Sequence, residues 1–179
     1  MEVSLLALEG VSKVPRTLTT DSRGFFANMN LPDSLFNPRQ LTFCSAQNYL
    51  RGTIRGIHFQ DSPFAERKIV SVGYGESFHI FLDVRKHSST YLSFATANIK
   101  QSSEFGIYVP EGVAHGYQTL QDDTSINYLI SGNYVASHQK CINVFDPKLR
   151  VKWPLAVSNI SERDLRGSYL DSINEDCGW

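Results

Sequence analysis

The stretch SFHIFLDV, positions 77–84, constrains the fold more than any other part of the chain. It alternates with a period of two. Phe78, Ile80, Leu82 and Val84 fall on one side, and His79, Phe81 and Asp83 on the other, which is the pattern of a β-strand. The turn signal GYGE (73–76) separates it from IVSV (69–72). GIYV (106–109) runs into the turn residues PEG, and AHGYQTL (114–120), TSINYLI (124–130) and CINVFD (141–146) continue the series. Short strands at this spacing, divided by Gly, Pro and Asp, predict an all-β sandwich or barrel. Helical signals are few. LPDSLF (31–36) has room for one short turn. SERDLRGSYL (161–170) is the better candidate, with Ser161 as N-cap. DPKLRVKWP (146–154) reads as a turn leading into a short extended piece that ends at Pro154. The tail DSINEDCGW is polar and reads as loosely held.

The 179 residues suit one domain with a substantial core, and there is no repeat or low-complexity linker. A net charge of −1 with scattered signs gives no footprint for nucleic acid, and no apolar run approaches the length of a membrane span. MEVSLLALEGVSK lacks the build of a signal peptide. Cys44, Cys141 and Cys177 are widely spaced and odd in number, which suggests reduced thiols and a cytoplasmic location.

Three polar residues have useful chemistry if a pocket gathers them. His58, in RGTIRGIHFQ (51–60), brings an imidazole, a side-chain type able to take a proton near pH 7. Lys68, just before IVSV, can stabilise an oxyanion. Tyr128, on the same strand face as Ile126 and Ile130, can donate a proton. Together they suit removal and return of a proton beside a carbonyl. Each also has an ordinary role on spacing alone: a packed histidine, a solvated flanking lysine, a core tyrosine with its hydroxyl tied. PEGVAH (110–115) has the form P-x-G-x-x-H, half of a metal-binding cupin signature. The other half, H-x-H followed by Glu, is reduced to His58-Phe59-Gln60, so a tight metal site is not expected.

Six segments in order carry a more specific signal: DSRGFF (21–26), IRGIHFQ (54–60), RKIVSVGYGESFHIFLDVRKHSSTY (67–91), VPEGVAHGYQTL (109–120), NYLISGNY (127–134) and DPKLRVKWP (146–154). With them the chain resembles the dTDP-4-dehydrorhamnose 3,5-epimerase family of cupin-fold sugar-nucleotide epimerases. The resemblance implies a single cupin domain over 1–179, all-β, a double-stranded β-helix (jelly roll) with a short C-terminal helical segment. It implies a homodimer in which the N-terminal strands cross to the partner. It also implies catalysis without cofactor or metal on a nucleoside-diphosphate 4-keto-6-deoxy sugar, the nucleotide being dTDP, CDP or GDP. By the same resemblance His58 is the general base, Asp164 (in ISERD, 160–164) the carboxylate that holds it, Lys68 the residue facing the enolate oxygen and Tyr128 the proton donor. Arg55 and Arg23 are implied as diphosphate ligands, Phe26 as a neighbour of the base, and Gln47, His115, His79 and Tyr134 as further substrate contacts.

The departures from the family pattern surround these residues. FCSAQNYLRGT (43–53) is shorter than the family's corresponding stretch. Ala27-Asn28 replaces an acid after GFF, Phe105 a basic residue, Gln139 a late glutamate, and His79 a second buried acid facing His115. This pattern implies preserved proton chemistry on an altered ligand, with one centre, C3, or two inverted. A 3,4-ketoisomerase and a non-catalytic sugar-nucleotide-binding cupin are the alternatives.

Overall fold

In a computed structural model, residues 1–31 and 41–172 are described; LPDSLF lies almost wholly outside them, as do Cys177 and Trp179. The strands are β1 (Ser12–Asp21), β2 (Gly24–Met29), β3 (Leu41–Asn48), β4 (Thr53–Gln60), β5 (Lys68–Tyr74), β6 (Glu76–Asp83), β7 (Phe94–Lys100), β8 (Phe105–Val109), β9 (Val113–Thr119), β10 (Thr124–Ser131), β11 (Gln139–Cys141) and β12 (Asn159–Ile160). One sheet has the order β2-β1-β8-β5-β10-β3. The other has β11-β4-β9-β6-β7, with β12 added in parallel to β4. The remaining pairings of these two sheets are antiparallel, and the sheets face one another as a jelly roll.

The alternation in 77–84 is used on both faces. Phe81 joins Val70, Val72, Ile107, Val109, Tyr117 and Ile126 between the sheets. Ile80, Leu82 and Val84 point the other way, onto Ile142, Val144 and Leu149, with Trp153 packed beside them. The C-terminal segment therefore covers the outer face of the second sheet, and the Trp153 indole N–H donates to the Val144 carbonyl at 3.0 Å. On the outer face of the first sheet Val14, Ile69 and Tyr108 form a third cluster with Met29, Leu41 and Leu129. The β1–β2 hairpin extends past β8: within β1, Ser12–Pro15 pair with β8, and Arg16–Asp21 pair with β2.

Two expectations are corrected. CINVFD is not one strand. β11 ends at Cys141; Ile142 still exchanges backbone hydrogen bonds with Ile57, at 2.8 and 3.2 Å, and forms an isolated bridge to Ser168 before the chain turns to cover the sheet. The helix expected over 161–170 is one turn, α1 (Glu162–Leu165), with Ser161 capping it through its hydroxyl to the Asp164 N–H at 3.1 Å. Just past its end Gly167 lies against the Ile142–Asn143 backbone, where a Cβ would stand 2.7 Å from the Asn143 nitrogen. Among the described residues no helix is long and apolar enough to cross a membrane.

Candidate active site

β4 and β9 build the centre of the site. His58 stands opposite His115 and Arg55 opposite Tyr117, with the register shifting between Arg55 and His58. At the shift Gly56 has φ +112°, and a Cβ there would lie 2.6 Å from the Gly116 Cα, so the two strands approach through paired glycines. The kink leaves the Gly56 N–H free of the ladder. It donates instead to Oδ2 of Asp164 at 3.1 Å.

The other oxygen of Asp164 lies 2.7 Å from Nε2 of His58. Asp164 is buried while the His58 side chain keeps 29% of its exposure. Burial alone would raise the Asp164 carboxyl, but the His58 ring, the Gly56 N–H and the Ser161 hydroxyl outweigh it and hold it below the usual carboxylate range. An ionised carboxylate on Nε2 fixes the ring and leaves Nδ1 as the nitrogen able to accept a proton.

His58 and Asp164 share a cavity of about 530 Å³ with Lys68, Tyr128, Arg55 and His115. Lys68 opens β5 and its ammonium donates to Glu66 at 2.8 Å, both side chains being largely buried. Tyr128 is half-buried on β10, and desolvation, reinforced by the neighbouring Tyr117 phenol, pushes its hydroxyl well above the ordinary tyrosine range. It is therefore a phenol, a proton donor, at neutral pH. The Arg55 guanidinium is exposed at the mouth, steadied through Nε by Oδ1 of Asn48 at 2.8 Å. The same oxygen accepts the Tyr117 hydroxyl at 3.1 Å.

The remaining implied contacts are distributed differently. His115 lines the cavity, but its Nε2 lies 2.9 Å from Nδ1 of His79, whose Nε2 lies 2.7 Å from the Ser77 hydroxyl. His79 sits behind His115 and is absent from the cavity wall, so it can act only through that ring. Burial drives His79 down to about 3, and burial above all, with the closely packed His79 ring and the nearby Lys68 and His58, holds His115 well below the ordinary imidazole range. Both rings are neutral. Gln47 points away from the cavity: alternation along β3 turns Cys44 and Ala46 inward, and the Gln47 amide donates to the Asp123 carbonyl at 2.9 Å. Tyr134 is exposed on the loop after β10, outside the cavity wall. Arg23 and Phe26 stand on the β1–β2 hairpin, 88% and 72% exposed, with Arg23 paired to Asp21; within one chain they do not reach the cavity.

Three participants carry no signal in the sequence. Asn48 orders Arg55 and Tyr117, and Glu66 neutralises Lys68. Cys141, the register partner of His58 on β11, places its sulfur 3.7 Å from Oδ1 of Asp164. His58, Cys141 and Asp164 present donor atoms within 4.8 Å of one another. The P-x-G-x-x-H histidine is outside this group, because His115 turns its Nε2 to His79.

The family model for dTDP-4-dehydrorhamnose 3,5-epimerase matches residues 5–172. The chain belongs to that family. It is 33% identical over 184 aligned positions to a dTDP-4-dehydrorhamnose 3,5-epimerase of Mycobacterium tuberculosis, covering 97% of this chain and 89% of that relative. An epimerase of the same name from Sinorhizobium fredii is 39% identical over 114 residues. That match takes in 63% of this chain and only 58% of the relative. Among solved structures, a 4-keto-6-deoxy sugar epimerase from the novobiocin biosynthetic gene cluster of Streptomyces spheroides superposes with a TM-score of 0.84 at 28% identity, over 96% of this chain and 88% of that one. Fold and family therefore agree with the resemblance carried by the six segments.

Proposed function

We propose that the protein inverts C3, C5 or both in a nucleoside-diphosphate 4-keto-6-deoxyhexose, serving deoxysugar or surface-polysaccharide assembly. The observation that carries this reading is the His58–Asp164 contact of 2.7 Å in one cavity with Lys68 and Tyr128. A C4 ketone acidifies the hydrogens on its neighbouring carbons. His58 takes one of them through Nδ1, while Asp164 stabilises the imidazolium that forms. The Lys68 ammonium keeps donors beyond the one used by Glu66 and neutralises the enolate oxygen. Tyr128, held protonated by its surroundings, returns a proton from the opposite face, and the centre inverts.

The family name and the named relatives favour dTDP as the nucleotide over CDP or GDP. Arg55 at the mouth is the diphosphate ligand on this chain. The projecting β1–β2 hairpin, with Arg23 and Phe26 exposed beyond the sheet, is read as an arm that completes the nucleotide site of a second copy in a homodimer. The free thiols Cys44 and Cys141 suit a reducing, cytoplasmic setting.

Incubation with dTDP-4-keto-6-deoxyglucose in deuterated water tests the reading. Deuterium at C3 or C5 with inverted configuration supports it. A carbonyl moved from C4 to C3 replaces it with a ketoisomerase, and binding without exchange replaces it with a non-catalytic role.

A further inference from the structure

We propose that His58, Cys141 and Asp164 form a latent site for a thiophilic divalent cation of the Zn²⁺ class, and that its occupation switches the epimerase centre off. The antiparallel pairing of β4 with β11 puts His58 and Cys141 on one face as register partners, and α1 lowers Asp164 onto both. The result is one imidazole nitrogen, one thiol sulfur and one carboxylate oxygen, the donor set that zinc takes. Ligands at zinc bond lengths of about 2.0–2.3 Å in a tetrahedron stand roughly 3.3–3.8 Å apart. The sulfur–carboxylate spacing of 3.7 Å already has that value, and the imidazole–carboxylate pair at 2.7 Å opens by roughly half an ångström. His58 and Cys141 are only partly buried, so an ion has a way in, and the cavity leaves the fourth position to water.

The exchange balances simply. The Cys141 sulfur gives up its proton to solvent and binds the ion. Nε2 of His58 gives its lone pair to the ion, so the ring's proton must sit on Nδ1. Asp164 turns from hydrogen-bond acceptor to ligand. The Nδ1 lone pair, which the proposed reaction needs, is thereby consumed; this consequence rests on the reading of His58 as base, whereas the binding itself does not.

The test separates the two. Metal-free protein is titrated with Co²⁺ in the absence of substrate, and the thiolate-to-cobalt charge-transfer band is read in wild type and in the single variants Cys44→Ser, Cys141→Ser, Cys141→Ala and Cys177→Ser. The band is expected at one equivalent in wild type, Cys44→Ser and Cys177→Ser, and in neither Cys141 variant. Zn²⁺, measured by displacement of Co²⁺, is expected to bind at least tenfold more weakly to Cys141→Ser and to His58→Gln. Zn²⁺ should also suppress wild-type solvent exchange reversibly, with a chelator restoring it. Absence of the band in wild type, its survival in the Cys141 variants, or unchanged Zn²⁺ affinity in either weakened variant overturns the site. A metal-bound protein that exchanges substrate protons at the metal-free rate overturns the switch.

Discussion

Asp164 holds the chain on both sides of Ile57: its Oδ1 takes Nε2 of His58 at 2.7 Å and its Oδ2 takes the Gly56 N–H at 3.1 Å. A residue from the C-terminal turn thus fixes both the ring and the kinked strand that carries it. Asp164→Asn keeps the shape but removes the charge and lets the amide bind the wrong tautomer. It is expected to lower kcat/KM by about 10² or more with little change in KM. Steady-state kinetics on the 4-keto substrate check this, and a wild-type kcat would remove Asp164 from the chemistry.

Tyr128→Phe separates the two proton steps. Deprotonation by His58 does not need the phenol, so substrate should still exchange with solvent, while inversion slows by about 10². Because burial holds the Tyr128 hydroxyl well above its usual range, ionisation of this group should produce no alkaline fall in inversion below about pH 10. Parallel exchange and inversion rates across pH decide it. Inversion at the normal rate in the variant would exclude Tyr128 as the donor.

The fold was legible in the sequence because alternation in 77–84 and in 124–130 is local. It reports which residues share a face without reference to any partner strand, but not which face turns inward: Phe81 lies between the sheets, while Ile80, Leu82 and Val84 meet the C-terminal segment. The His58, Lys68 and Tyr128 positions were legible because they lie in segments whose spacing resembles a family. The contacts that tune them were not. Asn48 reaches Arg55 only through the bend between β3 and β4, and Cys141 meets Asp164 only after the chain has crossed the sheet and capped a one-turn helix. Gln47 shows the converse: a family position fixes a residue's place, but the parity of β3 decides which face it serves.

The neutral His79–His115 pair has a cost that depends on pH. His79 falls to about 3 on burial, so between about pH 6.5 and 3 the unfolded chain binds a proton that the folded state refuses. Stability is complete above the unfolded value and declines as pH falls below it. Between pH 7 and pH 5 His79 alone should account for about 2 kcal/mol. Urea melts at those two pH values check this. His79→Gln should reduce the difference, with His115 still contributing, and an equal pH slope in wild type and variant would contradict the neutral assignment of His79.

Gly56→Ala should act through the backbone. The added Cβ meets the Gly116 Cα at 2.6 Å and the His115 carbonyl at 2.8 Å, at a positive φ that L side chains rarely adopt. The expected loss is about 2 kcal/mol, several degrees in Tm, with activity reduced further because the kink that aims the Gly56 N–H at Asp164 relaxes. Calorimetry with single-substrate kinetics checks both parts, and wild-type stability would show that the strands have room to part.

The most direct measurement is deuterium uptake at C3 and C5 of a dTDP-4-keto-6-deoxy sugar by His58→Ala beside wild type, with circular dichroism confirming that both are folded. Wild type should take up label at one or both carbons while the folded variant takes up none. Label entering the variant's substrate at the wild-type rate would mean that another group removes the proton.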